Sequence, residues 1–467
     1  MRTVLLLTSL LFFAADAAQA SRPNIVLILT DNLGYADLGC YGARDIRTPN
    51  IDRLASDGVR FTQFYSNAPD CTPSRTALLT GRYQHRVGGL ECAIGIGNVG
   101  RYEDAIRLAE RHDLGLPASE TTIVRLLKQA GYQCVGFGKW HLGYEKKFLP
   151  PAHGFDYYLG LLSGCEDYFY HRDPSGAPVL FENDQLITRE GYTTDLFTDK
   201  AVEFITTRGR KQPFFLYLPY NAPSAPFQDP RHKPPVPIPP GPWTSPAWQH
   251  GTRETLAAVI ERLDDGVGRV LRSLEETKLT DNTLVIFAND NGAYPIAASN
   301  GPLRGNAHEL FEGGIRVACI ARWPGRLPKG LVCDRLTMMF DLTRSIASAT
   351  NVKPPPEQPF DGIDILDDII RQRPEPARSL FWRAKRGHTT WGAEHPTAPT
   401  GDRIWRAVRQ GPLKYVSRQD GDQLEEYLFD IPSDVSEKNN LMTSRPQDAQ
   451  RLKRLLADWE RDVRPKR

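Results

Sequence analysis

The segment PNIVLILT, residues 23–30, is an unbroken β-branched and leucine run that stops at Asp31. Continuous rather than alternating apolarity means that both faces of the segment are covered. That is the pattern of a strand inside a parallel sheet. Working outward, residues 121–130 place Ile123, Leu126, Leu127 and Ala130 on one helical face, with Gly131 as the stop signal. QCVGF at 133–137 and PFFLYL at 213–218 read as further core strands, a long helix spans 253–276, and TLVIFA at 283–288 is another buried strand with Asp290 two residues past its end. This alternation predicts a doubly wound α/β domain with helices on both faces of a mostly parallel sheet. Sites in such sheets form at the carboxyl ends of the strands, where Asp31 and Asp290 fall.

Two proline-rich stretches interrupt the alternation. Residues 219–246 hold 11 of the chain's 37 prolines, so this stretch is expected to be a long surface loop. KPPPEQP at 353–359, with the Asp361-Gly362 turn after it, marks the approach to a boundary. Beyond it lie short strand candidates at 403–408, 413–416 and 426–430 and an amphipathic helix at 447–463. They predict a small C-terminal antiparallel sheet with a terminal helix. The expected organisation is a signal segment at 1–20, an α/β catalytic domain at 21–370 and an α+β subdomain at 371–467.

The signal reading rests on Arg2, the apolar run from Val4 to Phe13 and the small-residue site Ala18-Gln19-Ala20. The run is shorter than the roughly 20 residues a membrane-spanning helix needs. The expectation is export through a cleaved leader, with a soluble mature chain starting near Ser21. With 58 Lys and Arg against 56 Asp and Glu, the formal charge is +2. A general attraction to nucleic acid or to an anionic membrane has no support, and an anion must be held by a local cluster. Seven cysteines leave at least one outside any intramolecular disulfide.

The most informative segment is NAPDCTPSRTALLTGRYQHR, residues 67–86, with Cys71-Thr72-Pro73-Ser74-Arg75 followed by Leu79-Thr80-Gly81-Arg82. It resembles the signature of type I sulfatases, formylglycine-dependent members of the alkaline-phosphatase-like superfamily. The resemblance extends through Thr30-Asp31-Asn32-Leu33-Gly34-Tyr35, Gly138-Lys139-Trp140-His141-Leu142-Gly143, Asn289-Asp290-Asn291-Gly292, Leu303-Arg304-Gly305 with Glu312-Gly313-Gly314-Ile315-Arg316, and a tail from Leu428 to Leu441. It implies an arylsulfatase-like enzyme that hydrolyses a sulfate ester, on a sulfated small molecule or glycan, after a maturase has oxidised Cys71 to formylglycine. Hard oxygen donors at Asp31, Asn32, Asp290 and Asn291, with the modified residue 71, suit Ca²⁺ or Mg²⁺. By the same resemblance Arg75 stabilises the modified residue, Lys139 contacts it and the sulfate, and His141 is the base that releases sulfate.

Three positions depart from the family pattern. Asn32 stands where most members have a second aspartate, Ser224 where a histidine is usual, and Ala307 where a lysine is usual. The missing histidine and lysine normally contact the sulfate and the leaving-group oxygen. Serine can donate a hydrogen bond but is no acid near neutral pH, and alanine does neither. Ser224 and His308 are therefore the substrate-binding candidates beside Lys139, with a surface role as the alternative for His308. A weakly active or inactive relative that binds sulfated glycans, and a phosphoesterase on the same fold, are the competing readings. Tyr168, Phe169, Tyr170, Trp243 and Trp248 are candidates for stacking on sugar faces, with ordinary loop packing as the alternative.

Overall fold

The structure is a computed structural model that describes residues 22–208, 212–294, 296–387 and 402–465. The signal segment expected at 1–20 lies outside the described residues. A ten-stranded sheet dominates. Its strands are β1 (Asn24–Thr30), β2 (Val59–Phe61), β4 (Gln133–Lys139), β5 (Tyr157–Leu161), β6 (Leu180–Glu182), β7 (Gln185–Leu186), β8 (Phe214–Pro219), β9 (Thr283–Asn289), β10 (Cys319–Arg322) and β11 (Leu331–Cys333). A separate two-stranded ribbon joins β3 (Phe64–Tyr65) to β12 (Thr337–Met338). The order across the large sheet is β11-β2-β10-β9-β1-β8-β4-β5-β6-β7. The five central strands, β9 through β5 in that order, are parallel, and the antiparallel pairings lie toward the two edges.

β1 sits in the middle, as its continuous apolarity requires. Ile25, Leu27 and Leu29 point into one core with Leu78, Leu79 and Leu342, while Val26 and Ile28 point into the other with Leu256, Ile260 and Leu263 of the helix Arg253–Glu276. All five β1 side chains are fully buried. Each contributes about 1.5–3 kcal/mol relative to exposure, which fixes the strand between two helical layers. The expected elements form close to their expected bounds. The helix at 121–130 is one turn shorter, Ile123–Gln129, because Thr122 caps it through the backbone N–H of Arg125.

Two expectations change. The proline-rich stretch is not wholly on the surface: residues 219–228 are buried, and only its later part is exposed. The reason is topological, since these residues leave the carboxyl end of β8 beside β1 and line the cleft described below. The C-terminal sheet has four strands rather than three, namely β13 (Ser379–Gly387), β14 (Asp402–Gln410), β15 (Leu413–Asp420) and β16 (Gln423–Asp430), in an antiparallel meander. β13 alternates buried Leu380, Trp382 and Ala384 with half-buried Phe381, Arg383 and Lys385. The helix Pro446–Asp462 covers this sheet with Leu452, Leu456 and Trp459.

The small sheet docks on the large unit through Trp382, whose indole N–H donates to Ser66 O at 2.8 Å. Lys414 Nζ, fully buried, lies 2.9 Å from Glu312 Oε1 and 3.0 Å from Glu437 Oε1. All seven cysteines are unbridged. Cys319 and Cys333 are both registered opposite Phe61, on its two sides. They are thus two strand spacings apart, about 9.5 Å, beyond the reach of a disulfide. No helix among the described residues is long and apolar enough to cross a membrane.

Candidate active site

The site begins with adjacent strand ends. Thr30 of β1 is registered with Asn289 of parallel β9, so Asp31 and Asp290 emerge side by side. Lys139 ends β4, one strand beyond β8 on the other side of β1. The fourth wall is the helix Cys71–Thr80, whose ten residues are all buried. Asp70 precedes it in an extended conformation, and Pro73 falls in the first turn, where a missing N–H is tolerated. Its buried hydroxyls turn back on the helix: Thr76 Oγ1 donates to Thr72 O and Thr80 Oγ1 to Thr76 O, each at 2.8 Å. Gly81 ends it in the left-handed region at φ 68°.

These elements bring Cys71, Arg75, Lys139, Asp31 and Asp290 into direct contact. Cys71 Sγ donates to Asp31 Oδ1 at 3.1 Å, and Lys139 Nζ reaches Asp31 Oδ2 at 2.6 Å and Cys71 Sγ at 3.4 Å. Arg75 Nε donates to Asp290 Oδ2 at 3.0 Å and Nη1 to Lys139 O at 2.8 Å. Both cations and both carboxylates have fully buried side chains. Burial works to raise the Asp31 carboxyl, but Lys139 and Arg75 outweigh it and hold Asp31 below the usual carboxylate range. Burial and then the Asp31 charge push the neighbouring Asp290 up. Burial and Asp31 likewise raise the Cys71 thiol well above its ordinary value, so an unmodified Cys71 is a protonated thiol and not a thiolate nucleophile.

The donor set fits a hard divalent cation. Ligand atoms of Asp31, Cys71 and Asp290 all lie within 4.8 Å of one another. Asn291 Oδ1 is buried and has no hydrogen-bond partner among the described residues, which is an unmet acceptor at the same strand end. Asn32, at φ 59°, is brought into the group, and its Oδ1 accepts from Asn291 Nδ2. The two carboxylates face two buried cations, so a divalent ion would add positive charge here, suited to an anion.

His141 stands beside this group at φ 55°. Its Nε2 lies 2.9 Å from Ile94 O, so that nitrogen carries the hydrogen, while Nδ1 is buried without a partner among the described residues. Burial, reinforced by Lys139, lowers its pKa well below the usual histidine value. The ring is therefore a neutral base with an open lone pair. Gly164 makes room for it: a Cβ there would stand 2.3 Å from the ring Cε1. Thr72 locks the same loop, donating from Oγ1 to His141 O at 3.0 Å and accepting from Ile94 N at 3.1 Å.

Ser224 and His308 both line a cleft that opens onto Asn32, Cys71 and His141. Asn32 Nδ2 donates to Ser224 Oγ at 2.8 Å, so two of the three departures from the family pattern touch each other. His308 is drawn into the cleft rather than left on the surface, with its side chain 17% exposed and Nδ1 2.5 Å from Asp70 Oδ1. Asp70, Thr72, Arg101, Gly164 and Tyr294 are site neighbours that sequence reasoning missed. Asp70 and Thr72 lie inside the motif, which was the available signal; Arg101 and Tyr294 carried none. Of the aromatic candidates, Trp243 lines the cleft half-buried. Trp248 also lines it but is fully buried, its N–H bonded to Pro239 O at 3.0 Å. Tyr168 and Phe169 pack on Tyr192 in the core, and Tyr170 is tied to Pro234 O at 2.8 Å, so these three are packing residues.

Residues 23–352 match the family model described as Sulfatase. The chain belongs to the sulfatase family and is a sulfuric ester hydrolase. It is similar to N-acetylgalactosamine-6-sulfatase of Homo sapiens, with 31% identity over 93% of this chain and 84% of the relative. Arylsulfatase G of Rattus norvegicus is 30% identical over 97% of this chain and 89% of its own length. Among solved structures, Ps i-CgsB in complex with k-i-k-neocarrahexaose superimposes with a TM-score of 0.77 at 29% identity, covering 95% of this chain and 94% of that one. BT4656 in complex with D-glucosamine-2-N,6-O-disulfate shares the fold with a TM-score of 0.71 at 20% identity, over 95% of this chain and 98% of that one.

Proposed function

We propose that this sulfatase is an exported enzyme that removes sulfate monoesters from carbohydrates of the glycosaminoglycan type, using a formylglycine made from Cys71 by a maturase and a bound Ca²⁺ or Mg²⁺. The observation that carries this reading is the placement of Cys71 itself. It begins a buried helix, its Sγ donates to Asp31, and two carboxylates, Lys139 and Arg75 surround it. A cysteine thiolate chemistry is ill served by that environment, whereas a hydrated aldehyde held by a cation supplies a nucleophilic hydroxyl oxygen and a second hydroxyl through which sulfate is released.

The protein's own groups divide the remaining work. Asp31, Asp290, Asn291 and Asn32 are the metal ligands together with residue 71. Lys139, kept charged by Asp31 despite its burial, places a cation where negative charge collects on the sulfuryl oxygens. Arg75 spans Asp290 and Lys139 O and so fixes the geometry of both. His141, neutral with Nδ1 open, takes the proton whose loss expels sulfate. Ser224 and His308 contact substrate beyond the sulfuryl group. Half-buried Trp243 and Tyr294 with Arg101 form a rim suited to a charged sugar, in keeping with the amino-sugar and neocarrahexaose names of the relatives. In this reading the catalytic domain covers residues 21–370, the subdomain 371–467, and the leader 1–20 is removed on export.

The test is release of inorganic sulfate from defined sulfated hexosamines and galactans, with the matching phosphate esters alongside. Sulfate release from at least one saccharide, faster than phosphate release, is the expected result. Faster phosphate release, or turnover confined to non-carbohydrate esters, would overturn the proposal.

A further inference from the structure

Ser224, which lines the cleft, is no acid near neutral pH, and Ala307, next to His308 in the chain, is a buried methyl. A sugar alkoxide is a poor leaving group, so the departing oxygen must acquire a proton from somewhere. We propose that His308, oriented by Asp70, is the general acid that protonates the leaving alcohol oxygen. The inference rests on the sulfatase reading and assigns a catalytic residue within it.

Four observations support the assignment. His308 lines the same cleft as Cys71, Asn32 and Ser224. Its Nδ1 lies 2.5 Å from the carboxylate of Asp70, which is 3% exposed and immediately precedes Cys71. A carboxylate at ion-pair distance favours the imidazolium, the form that can give up a proton. The backbone is committed to this placement: His308 adopts φ 75°, a left-handed conformation uncommon for a residue with a Cβ, and its N–H bonds to Pro69 O at 2.9 Å. Finally, the ring is braced by Tyr294 at 5.1 Å and Trp243 at 6.3 Å, and Arg101 lies 5.9 Å from Trp243 on the same rim.

The other cleft groups are poor candidates. His141 is the neutral base, with its one N–H engaged by Ile94 O. Lys139 is bound to Asp31 and Gly164 O and is kept protonated. Asp70 faces the ring at 2.5 Å and favours its charged form, and Arg101 packs on Trp243 of the same rim.

In the step, sulfur forms a bond to the attacking oxygen as its bond to the bridging oxygen breaks. The electron pair of the broken bond stays on the bridging oxygen, which takes the proton from the His308 imidazolium and leaves as a neutral alcohol. Solvent water restores the proton to His308 before the next turnover.

The experiment measures kcat/KM for aryl sulfates of graded phenol acidity and for one sulfated sugar, in the wild type, His308→Gln and Asp70→Asn. In the wild type, rates depend weakly on leaving-group acidity. In His308→Gln the ratio of sugar sulfate to nitrophenyl sulfate turnover falls by at least about 100-fold, with the fall in kcat, and Asp70→Asn shifts it about 10-fold in the same direction. The wild-type sugar rate also declines at alkaline pH with a limb that His308→Gln lacks. Equal losses on all esters in His308→Gln, or a steep leaving-group dependence in the wild type, would overturn the assignment while leaving the sulfatase reading intact. The wild-type series decides the matter even if the variants do not fold. Failure of the oxidised wild type to release sulfate from any ester would remove both.

Discussion

Cys71 Sγ donates a hydrogen bond to Asp31 Oδ1 at 3.1 Å although 40 residues separate them in the chain. The contact joins the start of a wholly buried helix to the end of the central strand. It is the point on which the nucleophile and the cation site converge.

Cys71→Ser follows directly. Serine is slightly smaller than cysteine and can donate to Asp31 in the same way, so the fold should persist, with unfolding free energy within about 1 kcal/mol of the wild type. It has only one hydroxyl and cannot release sulfate once sulfated. Sulfate release should be lost, with at most one equivalent of alcohol freed per chain as the serine becomes sulfated. Sustained multiple turnover by this variant would contradict the mechanism.

Removal of the divalent ion should be felt in stability as well as in turnover. Asp31 and Asp290 are buried side by side, and Asn291 Oδ1 lacks a partner among the described residues. Chelated protein should melt lower and recover on adding Ca²⁺, by about 2.7 kcal/mol at a hundredfold excess over Kd. Asp290→Asn should weaken Ca²⁺ binding by at least about 10-fold in calorimetric titration, because a carboxylate ligand becomes an amide. Unchanged Ca²⁺ affinity would remove Asp290 from the ligand set.

Asn32 and Ser224 hydrogen-bond at 2.8 Å, so their departures from the family pattern form a pair. Asn32→Asp adds a third carboxylate to a buried site, and Ser224→His alone adds a group with no acidic partner. Each single change should destabilise, and the double variant should recover at least about 1 kcal/mol relative to their sum. A double-mutant cycle in denaturant measures this. Strict additivity would mean that the two positions are independent.

His85 predicts a pH effect at the junction with the C-terminal unit. Its Nε2 lies 2.9 Å from Arg383 O and its ring 4.8 Å from Trp459. Burial lowers its pKa to about 4. The unfolded chain takes up a proton near pH 6.5 and the folded one does not until about pH 4, so this histidine favours the folded state fully above pH 6.5 and loses that contribution as pH falls toward 4. His85→Gln retains a donor for Arg383 O but has no titration. The stability difference between pH 7 and pH 4.5 should shrink by about 2 kcal/mol. An unchanged difference would place the acid sensitivity elsewhere.

Much of the fold was legible because the central strands carry continuous apolar runs, as residues 23–30 and 283–288 do, and a parallel interior leaves no other reading. β13 was harder. Its buried Leu380, Trp382 and Ala384 alternate with Arg383 and Lys385, whose charges find partners only in the folded protein: Glu91 lies 2.7 Å from Arg383 Nε. The motif residues of the site were legible by type and spacing. What one sequence does not encode locally is which distant side chains meet. Glu312 and Glu437, both in motif-like segments, share Lys414 in a buried network between the two sheets, and the Asn32–Ser224 and His308–Asp70 pairs are likewise products of topology. The buried first part of the proline-rich stretch escaped for the same reason, since proline content excludes regular structure without saying which side of the surface a loop lies on.

The proposed conversion of Cys71 to formylglycine underlies every catalytic role assigned above. It is tested most directly by the mass of the tryptic peptide spanning residues 61–75, from protein produced together with a formylglycine-generating maturase. The aldehyde or its hydrate at position 71 is the expected result. An intact cysteine in that peptide, from a preparation that nevertheless releases sulfate over many turnovers, would contradict it.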